Sequence, residues 1–224
     1  DTEEIKRIST ERNELLKKVS AKAKSLSQKR REAADQLSKK IENELKFLDM
    51  PNVKLEISQT LGKLTSSGMD SMEILISVNA GEPPKSIAKI ASGGELSRIM
   101  LAIKNVTAEK DDVPTMIFDE IDTGVSGKAA QKIGVKLREI SRSRQVLCVT
   151  HLSQIAVMAD SHLFIEKKTR DDRTFTEVSV LDKESRAGEI ARIIGGDNIT
   201  GSTLEAAKEQ LASRDEIYNR MLEK

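Results

Sequence analysis

Two adjacent carboxylates carry the strongest chemical signal in this sequence. Asp119 and Glu120 directly follow the apolar run Thr115-Met116-Ile117-Phe118, which has the length and composition of a buried strand. Ligands of open α/β sheets bind beyond the carboxyl ends of strands. A magnesium ion fits such a pair, because it accepts one or two carboxylates together with phosphate oxygens and waters. Asp119 would then serve the metal and Glu120 would orient or deprotonate a water; an acidic start to the next helix is the alternative.

A Ser-Gly-Gly turn that opens a helix is the second candidate. Ser92, Gly93 and Gly94 precede Glu95, where a helix is predicted to begin and to continue to about Ala108. Glycines let the backbone approach a ligand closely, and the N–H groups and partial positive charge of a helix start suit a phosphate. Ser92 can cap the helix or donate to a phosphate oxygen. An ordinary N-cap turn is the alternative.

Two weaker signals follow the acidic pair along the chain. The segment Asp122–Gly127 is a polar, glycine-bearing loop before a predicted helix, and by itself it indicates only a loop. His151 follows the apolar run at 146–149. A lone histidine is usually structural, but beside a phosphate and an Asp-Glu pair it becomes a candidate sensor of the terminal phosphate. Cys148, within that run, is expected to be a buried, reduced thiol.

The first 49 residues must form an element of another kind, because they contain neither glycine nor proline. Their apolar residues recur with a 3-4 spacing, fade, and resume in a shifted register, which predicts one strand of a coiled coil that needs a partner helix. Basic residues at 17–31 could contact a DNA backbone, although a solvated helix face is the simpler explanation. Pro51 ends the helix. The seam residues are Ile5, Ile8, Leu15 and Val19, followed by Ala34, Leu37, Ile41 and Leu48.

The remaining chain has the pattern of an α/β domain. Alternation at 53–57 and 72–78 predicts a β-hairpin. From residue 91 onward helices alternate with strands, which predicts a mostly parallel sheet covered on both faces. The predicted strands are 115–118, 145–149, 162–165 and 176–180, and the predicted helices after the first are 127–140, 152–158, 186–194 and 202–222.

Composition limits the classes of function. The 224 residues include 33% charged and 2% aromatic residues and carry a net charge of +1, so no overall basic field favours nucleic acid and any DNA contact must be local. No signal peptide or membrane-spanning stretch is recognisable, and one cysteine fits a cytosolic compartment. The chain starts at Asp1 within a helical pattern, which suggests a piece of a larger protein.

The order and spacing of these segments resemble the C-terminal half of an ABC-type ATPase head, with its signature motif, Walker B motif and catalytic glutamate, D-loop and H-loop. A long helix before the signature resembles the SMC/Rad50/RecN branch, where a coiled coil interrupts the head, more than a transporter ATP-binding domain. Within that branch the chain resembles the RecN family over residues 50–212. The segments that carry this resemblance are Lys89–Ala102, Phe118–Gly127 and Val149–Ala156.

The resemblance implies a fold and a set of nucleotide contacts. The fold would be the C-terminal lobe of an SMC-type head with a P-loop NTPase fold, divided into a partial coiled-coil arm at 1–49 and a half-head at 50–224. Ser92, Gly93 and Gly94 would contact the γ-phosphate of ATP held by a second head, and Glu95 belongs to the same motif. His151 would contact the γ-phosphate in its own head.

The resemblance also implies catalytic roles and partners. Asp119 would hold Mg²⁺ through water, Glu120 would activate the attacking water, and Asp122 would cross the dimer interface. The implied protein couples ATP to the repair and recombination of DNA double-strand breaks in the bacterial cytoplasm, at the nucleoid. Its partners would be a second head, its own N-terminal half and DNA, either double-stranded or as ends, with no membrane.

One departure from the ATPase pattern has a direct consequence. No Gly-x-x-x-x-Gly-Lys-Ser/Thr sequence occurs in the 224 residues, so nothing in them grips a β-phosphate. The chain alone is therefore expected neither to bind ATP tightly nor to hydrolyse it, and to self-associate or require the N-terminal half. Three alternatives stay open at this point: a purely structural dimerisation head, a transporter ATP-binding domain, and another member of the SMC branch.

Overall fold

The computed structural model describes residues 2–79, 81–89, 93–108, 110, 112–170 and 173–223. The chain forms two compact units. The first comprises Asp1–Lys46 and Met50–Ile90, and the second comprises Phe47–Asp49 and Ala91–Lys224. Ser92, one of the predicted phosphate contacts, lies outside the described residues. Within the part of the chain that is described, no helix is both long and apolar enough to cross a membrane.

The first unit begins with the predicted long helix. Helix α1 extends over Thr2–Phe47, because these residues contain no helix breaker until Pro51. The apolar stripe of its first half, which includes Ile5 and Leu15, is exposed to solvent. An exposed stripe with this spacing is expected of a coiled-coil strand.

A β-hairpin follows the helix, as predicted. Strand β1 (Lys54–Thr65) pairs antiparallel with β2 (Gly68–Ser77), and the short strand β3 (Lys85–Ser86) pairs with β2. A 3₁₀ turn, Ile87–Lys89, closes this region. Gly68 has a φ of 114°, a backbone conformation that favours glycine, so its position at the turn has a steric reason.

Polar contacts hold the hairpin against the second half of α1. The Asp70 carboxylate accepts hydrogen bonds from Ser27 Oγ at 2.6 Å, Arg30 NH1 at 3.2 Å and Gln59 Nε2 at 3.2 Å. The hydrogen bond from Ser27 is the main cause that lowers the pKa of Asp70. Leu55 N donates to Glu42 Oε1 at 3.2 Å farther along the helix.

The hairpin explains why the apolar seam of the helix changes register. Ala34, Ile41 and Leu45 are buried in the stretch of α1 that hydrogen-bonds to the hairpin. The second half of the helix therefore covers a sheet of its own chain, which needs a different set of positions from a partner helix. The division into an arm at 1–49 and a half-head at 50–224 stays a prediction. The compact units group the hairpin with the helix and begin the second unit's main part at Ala91.

The second unit contains the predicted alternation of helices and strands, and the α/β class is confirmed. Strands β4 and β5 pair in parallel, whereas β6 and β7 form a separate antiparallel hairpin. The elements of this unit are α2 (Gly93–Thr107), β4 (Thr115–Phe118), α3 (Gly127–Ser141), β5 (Gln145–Cys148), α4 (Ser153–Ala156), β6 (Leu163–Arg170), β7 (Arg173–Val180), α5 (Lys183–Gly195), α6 (Gly201–Ala212) and α7 (Arg214–Leu222).

The parallel pair is covered on one face only, which corrects the expectation of a sheet buried on both faces. Met116 and Phe118 are buried, whereas Ile117 between them is 70% exposed. Successive side chains of a strand point to opposite faces, so the exposed residues mark one open face. Across the described residues the parallel sheet has two strands, because the predicted strands at 162–165 and 176–180 pair antiparallel with each other in a separate sheet.

The predicted helix at 202–222 is divided into α6 and α7 at Ser213. The backbone N–H and the hydroxyl of Ser213 both donate to the Glu209 carbonyl, the hydroxyl at 2.8 Å, and a serine hydroxyl bonded to the carbonyl four residues earlier tends to bend a helix. Helices α3, α5, α6 and α7 contribute to a core that is shared with the residues around α4. The buried members of this core are Val135, Ala156, Val157, Met158, Ile190, Ala191, Ala207, Ile217 and Tyr218.

Two helical glycines test how tightly this core is packed. A Cβ added to Gly134 in α3 would lie 2.9 Å from Met158 Cγ and 3.0 Å from the Gln154 carbonyl oxygen, whereas one added to Gly188 in α5 meets nothing within 4 Å. We expect Gly134→Ala to lower the free energy of unfolding by about 1–3 kcal/mol through overpacking. Gly188→Ala should raise it by up to about 1 kcal/mol through helix propensity. Urea denaturation followed by circular dichroism measures both, and equal shifts would contradict the packing argument.

Candidate active site at the ends of two parallel strands

The parallel pairing of β4 and β5 brings the predicted catalytic segments to one edge. Phe118 at the end of β4 is in register with Cys148 at the end of β5. Val149 N then donates to the Phe118 carbonyl at 2.9 Å. Asp119-Glu120 and Thr150-His151 therefore leave neighbouring strands at the same edge, where ligands of α/β sheets bind.

The acidic pair is exposed at this edge. The Asp119 carboxylate accepts a hydrogen bond from the backbone N–H of Glu120 at 2.9 Å. Glu120 has a φ of 56°, a left-handed conformation that costs a non-glycine residue about 1–3 kcal/mol and is concentrated at functional sites. The backbone of Glu120 is thus strained where it holds the carboxylate at the end of β4.

The donor set at this edge fits magnesium better than a metal held entirely by protein. Within the described residues no group of three or more His, Cys, Asp or Glu side chains converges on one point. Magnesium commonly binds through one or two carboxylates and takes its other ligands from water and phosphate. Asp119 therefore fits an ion that arrives together with a phosphate ligand.

The start of α2 lies against the acidic pair of the same chain. A Cβ on Gly93 would be 2.8 Å from Glu120 Oε2, and one on Gly94 would be 2.9 Å from both Cβ and the carbonyl oxygen of Thr123. Ser97 Oγ also donates to the Asp119 carbonyl at 3.2 Å. Gly94 is thus required by the backbone of the chain's own loop, whereas Gly93 faces the end of the Glu120 side chain, which can move. The contact of either glycine with a phosphate stays a prediction.

Arg98 is a residue of this site to which the sequence analysis gave no role. It is 8% exposed, and its NH1 donates to the Thr123 carbonyl at 2.9 Å. Burial lowers the pKa of Arg98 by desolvating the guanidinium, and the charge of Glu95 one turn earlier opposes that effect. Arg98 shares the buried face of α2 with Gly94 and Ala102. A cation on the apolar face of an amphipathic helix indicates a buried partner. This position could have identified Arg98 from the sequence.

Asp122 links the loop after β4 to the segment after β5. It is 3% exposed, and its Oδ2 accepts hydrogen bonds from Thr150 Oγ1 at 2.6 Å and from His151 N at 2.9 Å. The same Oδ2 lies 3.0 Å from His151 Nδ1. The predicted role of Asp122 across a dimer interface stays a prediction, and these contacts give it a second task within its own chain. Thr150 was also missed; a hydroxyl beside a histidine at a strand end was its only signal.

Cys148 lies close to these acids without joining their chemistry. Burial raises the pKa of its thiol to about 12, and the charges of Asp122 and Asp119 add to the shift. A thiol with so high a pKa stays protonated near neutral pH and is a poor nucleophile. Cys148 is a free cysteine of intermediate exposure, so the predicted burial is only partial.

Comparison with known proteins supplies the family. The DNA repair protein RecN of Bacillus subtilis (strain 168) is 43% identical to this chain over 217 residues. The alignment covers 90% of the chain and 38% of that protein. The chain belongs to the RecN family. The DNA repair protein RecN of Vibrio cholerae is 42% identical over 211 residues, which cover 93% of the chain and 38% of the relative.

The chain thus spans 38% of the length of these two RecN proteins and corresponds to a C-terminal part of them. A solved structure, the Smc head domain with a coiled coil and joint from Pyrococcus yayanosii, matches 92% of the chain and 36% of its own length with a TM-score of 0.57. Its sequence identity is 19%, so this likeness concerns the fold, and it confirms the predicted SMC-type head. No family model matches the chain.

The fold of the chain brings most of the predicted site residues into two neighbouring groups. Gly93 and Gly94 approach Glu120 and its loop, while Asp122 and His151 are in contact. Glu95 lies one residue farther along α2, where its charge acts on Arg98. Asp119 joins the first group through the hydrogen bond from Ser97 to its carbonyl.

Proposed function

We propose that this chain supplies the catalytic acid, Glu120, and the signature turn, Ser92-Gly93-Gly94, of a RecN-type ATPase head. The N-terminal half with its Walker A loop and a second copy of the head complete the site. The observation that carries this proposal is the parallel register of β4 and β5, which brings Asp119-Glu120 and Thr150-His151 to one edge of the sheet. The start of α2, a helix N-terminus of the kind that favours phosphate, packs against the loop after this edge through Gly94 and Thr123.

Three residues at the ends of β4 and β5 have separate roles in ATP hydrolysis. Glu120 orients the attacking water and accepts its proton. Asp119 would hold Mg²⁺, and the ion, when bound, would neutralise charge on the phosphates. His151 contacts the terminal phosphate in its own head.

The signature turn and the D-loop act toward a second copy of the head. Ser92, Gly93 and Gly94, with Glu95 in the same motif, contact the γ-phosphate of the ATP that the second head holds. Asp122 borders the interface between the two heads. ATP binding thereby engages the heads, and hydrolysis releases them.

The whole protein, by this proposal, couples head engagement to the repair and recombination of DNA double-strand breaks in the bacterial cytoplasm, at the nucleoid. Both relatives named above are DNA repair proteins. DNA, as a duplex or as ends, is contacted locally, because the net charge of this chain is only +1. Two members of the basic cluster on α1 serve the hairpin instead: Arg30 contacts Asp70, and Arg31 contacts Gln59.

Open apolar faces support the need for the N-terminal half. Ile117 of β4 is 70% exposed and Val180 of β7 is 71% exposed. Each has an exposed apolar neighbour on the adjacent strand, Leu147 beside Ile117 and Leu163 beside Val180, and apolar patches of this kind mark surfaces that bind another part of a protein. The N-terminal half covers these faces in the proposed head, and self-association of the chain replaces it when that half is missing.

Complementation with the N-terminal half tests the proposed function. The chain alone is expected to show no ATP turnover, and hydrolysis should appear when a separately expressed N-terminal half is added, measured with and without DNA. Turnover by the chain alone that Glu120→Gln abolishes would contradict the proposal. A stable complex of the two halves without activity would instead favour a structural head that only dimerises.

A further inference from the structure

One carboxylate oxygen of the buried Asp122 lies within 3.0 Å of three polar groups from the segment after β5. Asp122 Oδ2 lies 2.6 Å from Thr150 Oγ1, 2.9 Å from His151 N and 3.0 Å from His151 Nδ1. The backbone N–H of His151 can only donate, so Oδ2 accepts this hydrogen bond. The same oxygen therefore faces both the backbone and the imidazole of His151.

The short distance determines which imidazole nitrogen carries the proton. An unprotonated Nδ1 would place its partial negative charge 3.0 Å from the carboxylate oxygen Oδ2, and the two would repel. A proton on Nδ1 converts that repulsion into attraction, as in other carboxylate–histidine pairs. The favoured neutral tautomer of His151 is therefore the one with its proton on Nδ1.

Exposure shows which edge of the ring is available to a substrate. The side chain of His151 is 74% exposed, whereas that of Asp122 is 4% exposed. The Nδ1 edge faces a buried carboxylate, so the other edge, with Nε2, is the one that solvent reaches.

We propose that Asp122 is a positioning residue that keeps a proton on Nδ1 of His151 and presents Nε2 to the terminal phosphate or its attacking water. Neutral His151 then accepts a hydrogen bond at Nε2, and protonated His151 donates one there. The substrate in this statement rests on the proposed ATPase function, but the tautomer does not. The role is separate from the interface role predicted for Asp122 from the family resemblance.

Nitrogen NMR of the ¹⁵N-histidine-labelled chain tests the tautomer without any nucleotide. The chain has two histidines, so a His162→Gln variant assigns the signals of His151. In alkaline buffer, where imidazoles are neutral, His151 should be mainly the Nδ1–H tautomer. Asp122→Asn should shift it toward Nε2–H, because an amide can turn its N–H toward Nδ1. Mainly Nε2–H in the unmodified chain, or no change in Asp122→Asn, would overturn the proposal.

A matched variant separates the tautomer from general loosening of the loop. Thr150→Val removes another hydrogen bond to the same Oδ2 and leaves the Asp122–His151 pair in place. The His151 tautomer should be unchanged in Thr150→Val, and the His162 signals should be unchanged in both variants, which shows that the fold is intact. A shift as large in Thr150→Val as in Asp122→Asn would assign the effect to loop structure and overturn the positioning role.

ATP hydrolysis by the chain mixed with the N-terminal half provides the second readout. Asp122→Asn should lower kcat by about 10–100-fold, the usual effect of losing an outer-shell partner, with little change in KM for ATP. At protein and ATP concentrations at which head engagement is complete, so that the interface role of Asp122 does not limit the rate, the double variant with His151→Gln should be no slower than His151→Gln alone, because both act through one imidazole. Losses that multiply would overturn the positioning role. A mixture without any activity would refute the ATPase proposal, while the NMR result would still decide the tautomer.

Discussion

Glu120→Gln is expected to reduce ATP hydrolysis by the chain completed with its N-terminal half at least about 100-fold, the loss typical of a missing general base. The amide keeps the size of the side chain and its place beside Gly93, but it cannot accept a proton from water. ATP binding by the mixture should persist, because the lost group acts on the water and not on the nucleotide. Initial rates of phosphate release measure the first effect, and equilibrium binding of labelled ATP measures the second.

An exposed acid away from the site provides the control. Glu205 in α6 forms a surface ion pair with Lys208 at 3.0 Å, and pairs of this kind contribute little to stability. Glu205→Gln should therefore leave hydrolysis unchanged. Normal turnover by Glu120→Gln in a mixture that binds ATP would remove Glu120 from the catalytic role and shift attention to His151.

Gly94→Ala is expected to have the largest combined effect on structure and activity. The added methyl would lie 2.9 Å from Cβ and from the carbonyl oxygen of Thr123 and 3.3 Å from the carbonyl oxygen of Glu120. Two of these atoms are backbone, so the start of α2 must move away from the loop. We expect the free energy of unfolding to fall by about 1–3 kcal/mol. Hydrolysis by the completed head should fall about 100-fold, as when catalytic groups are displaced by about 1 Å.

Two further variants make this prediction specific. Gly188→Ala, where the new methyl meets nothing within 4 Å, should retain full activity. Adding Thr123→Gly to Gly94→Ala should restore part of the stability, because it removes one of the two atoms at 2.9 Å. Unchanged hydrolysis and stability in Gly94→Ala would show that the contact between α2 and the loop is loose, and the link between the signature turn and Glu120 would be lost with it.

Local patterns in the sequence predicted the elements well where one residue or one period decides them. Pro51 ends α1 because its ring cannot continue a helix, and the apolar run before Asp119 forms β4 as predicted. The break at Ser213 was missed. A serine hydroxyl bonded to the carbonyl four residues earlier, as Ser213 is to Glu209, also occurs within continuous helices, so the sequence gives no distinct signal of the break.

The apolar seam of α1 shows where pattern and packing separate. Periodicity alone cannot tell whether an apolar stripe faces a partner helix or a sheet, because both bury one side of a helix. The exposed first half of α1 retains the coiled-coil spacing, whereas Ala34 and Ile41 are buried where the hairpin covers the helix. The shift in register was visible in the sequence, but its cause required the position of the hairpin.

The sequence by itself determined the segments that carry chemistry, because Gly93, Gly94, Asp119, Glu120 and His151 stand at the ends of predicted elements and belong to a recognisable series of motifs. Only the tertiary structure decided which side chains meet. Asp122 and Thr150 are 28 positions apart, and Arg98 and Thr123 are 25 apart; the parallel register of β4 and β5 and the packing of α2 bring them into contact. Such contacts depend on distances across the fold, which no local periodicity or propensity records.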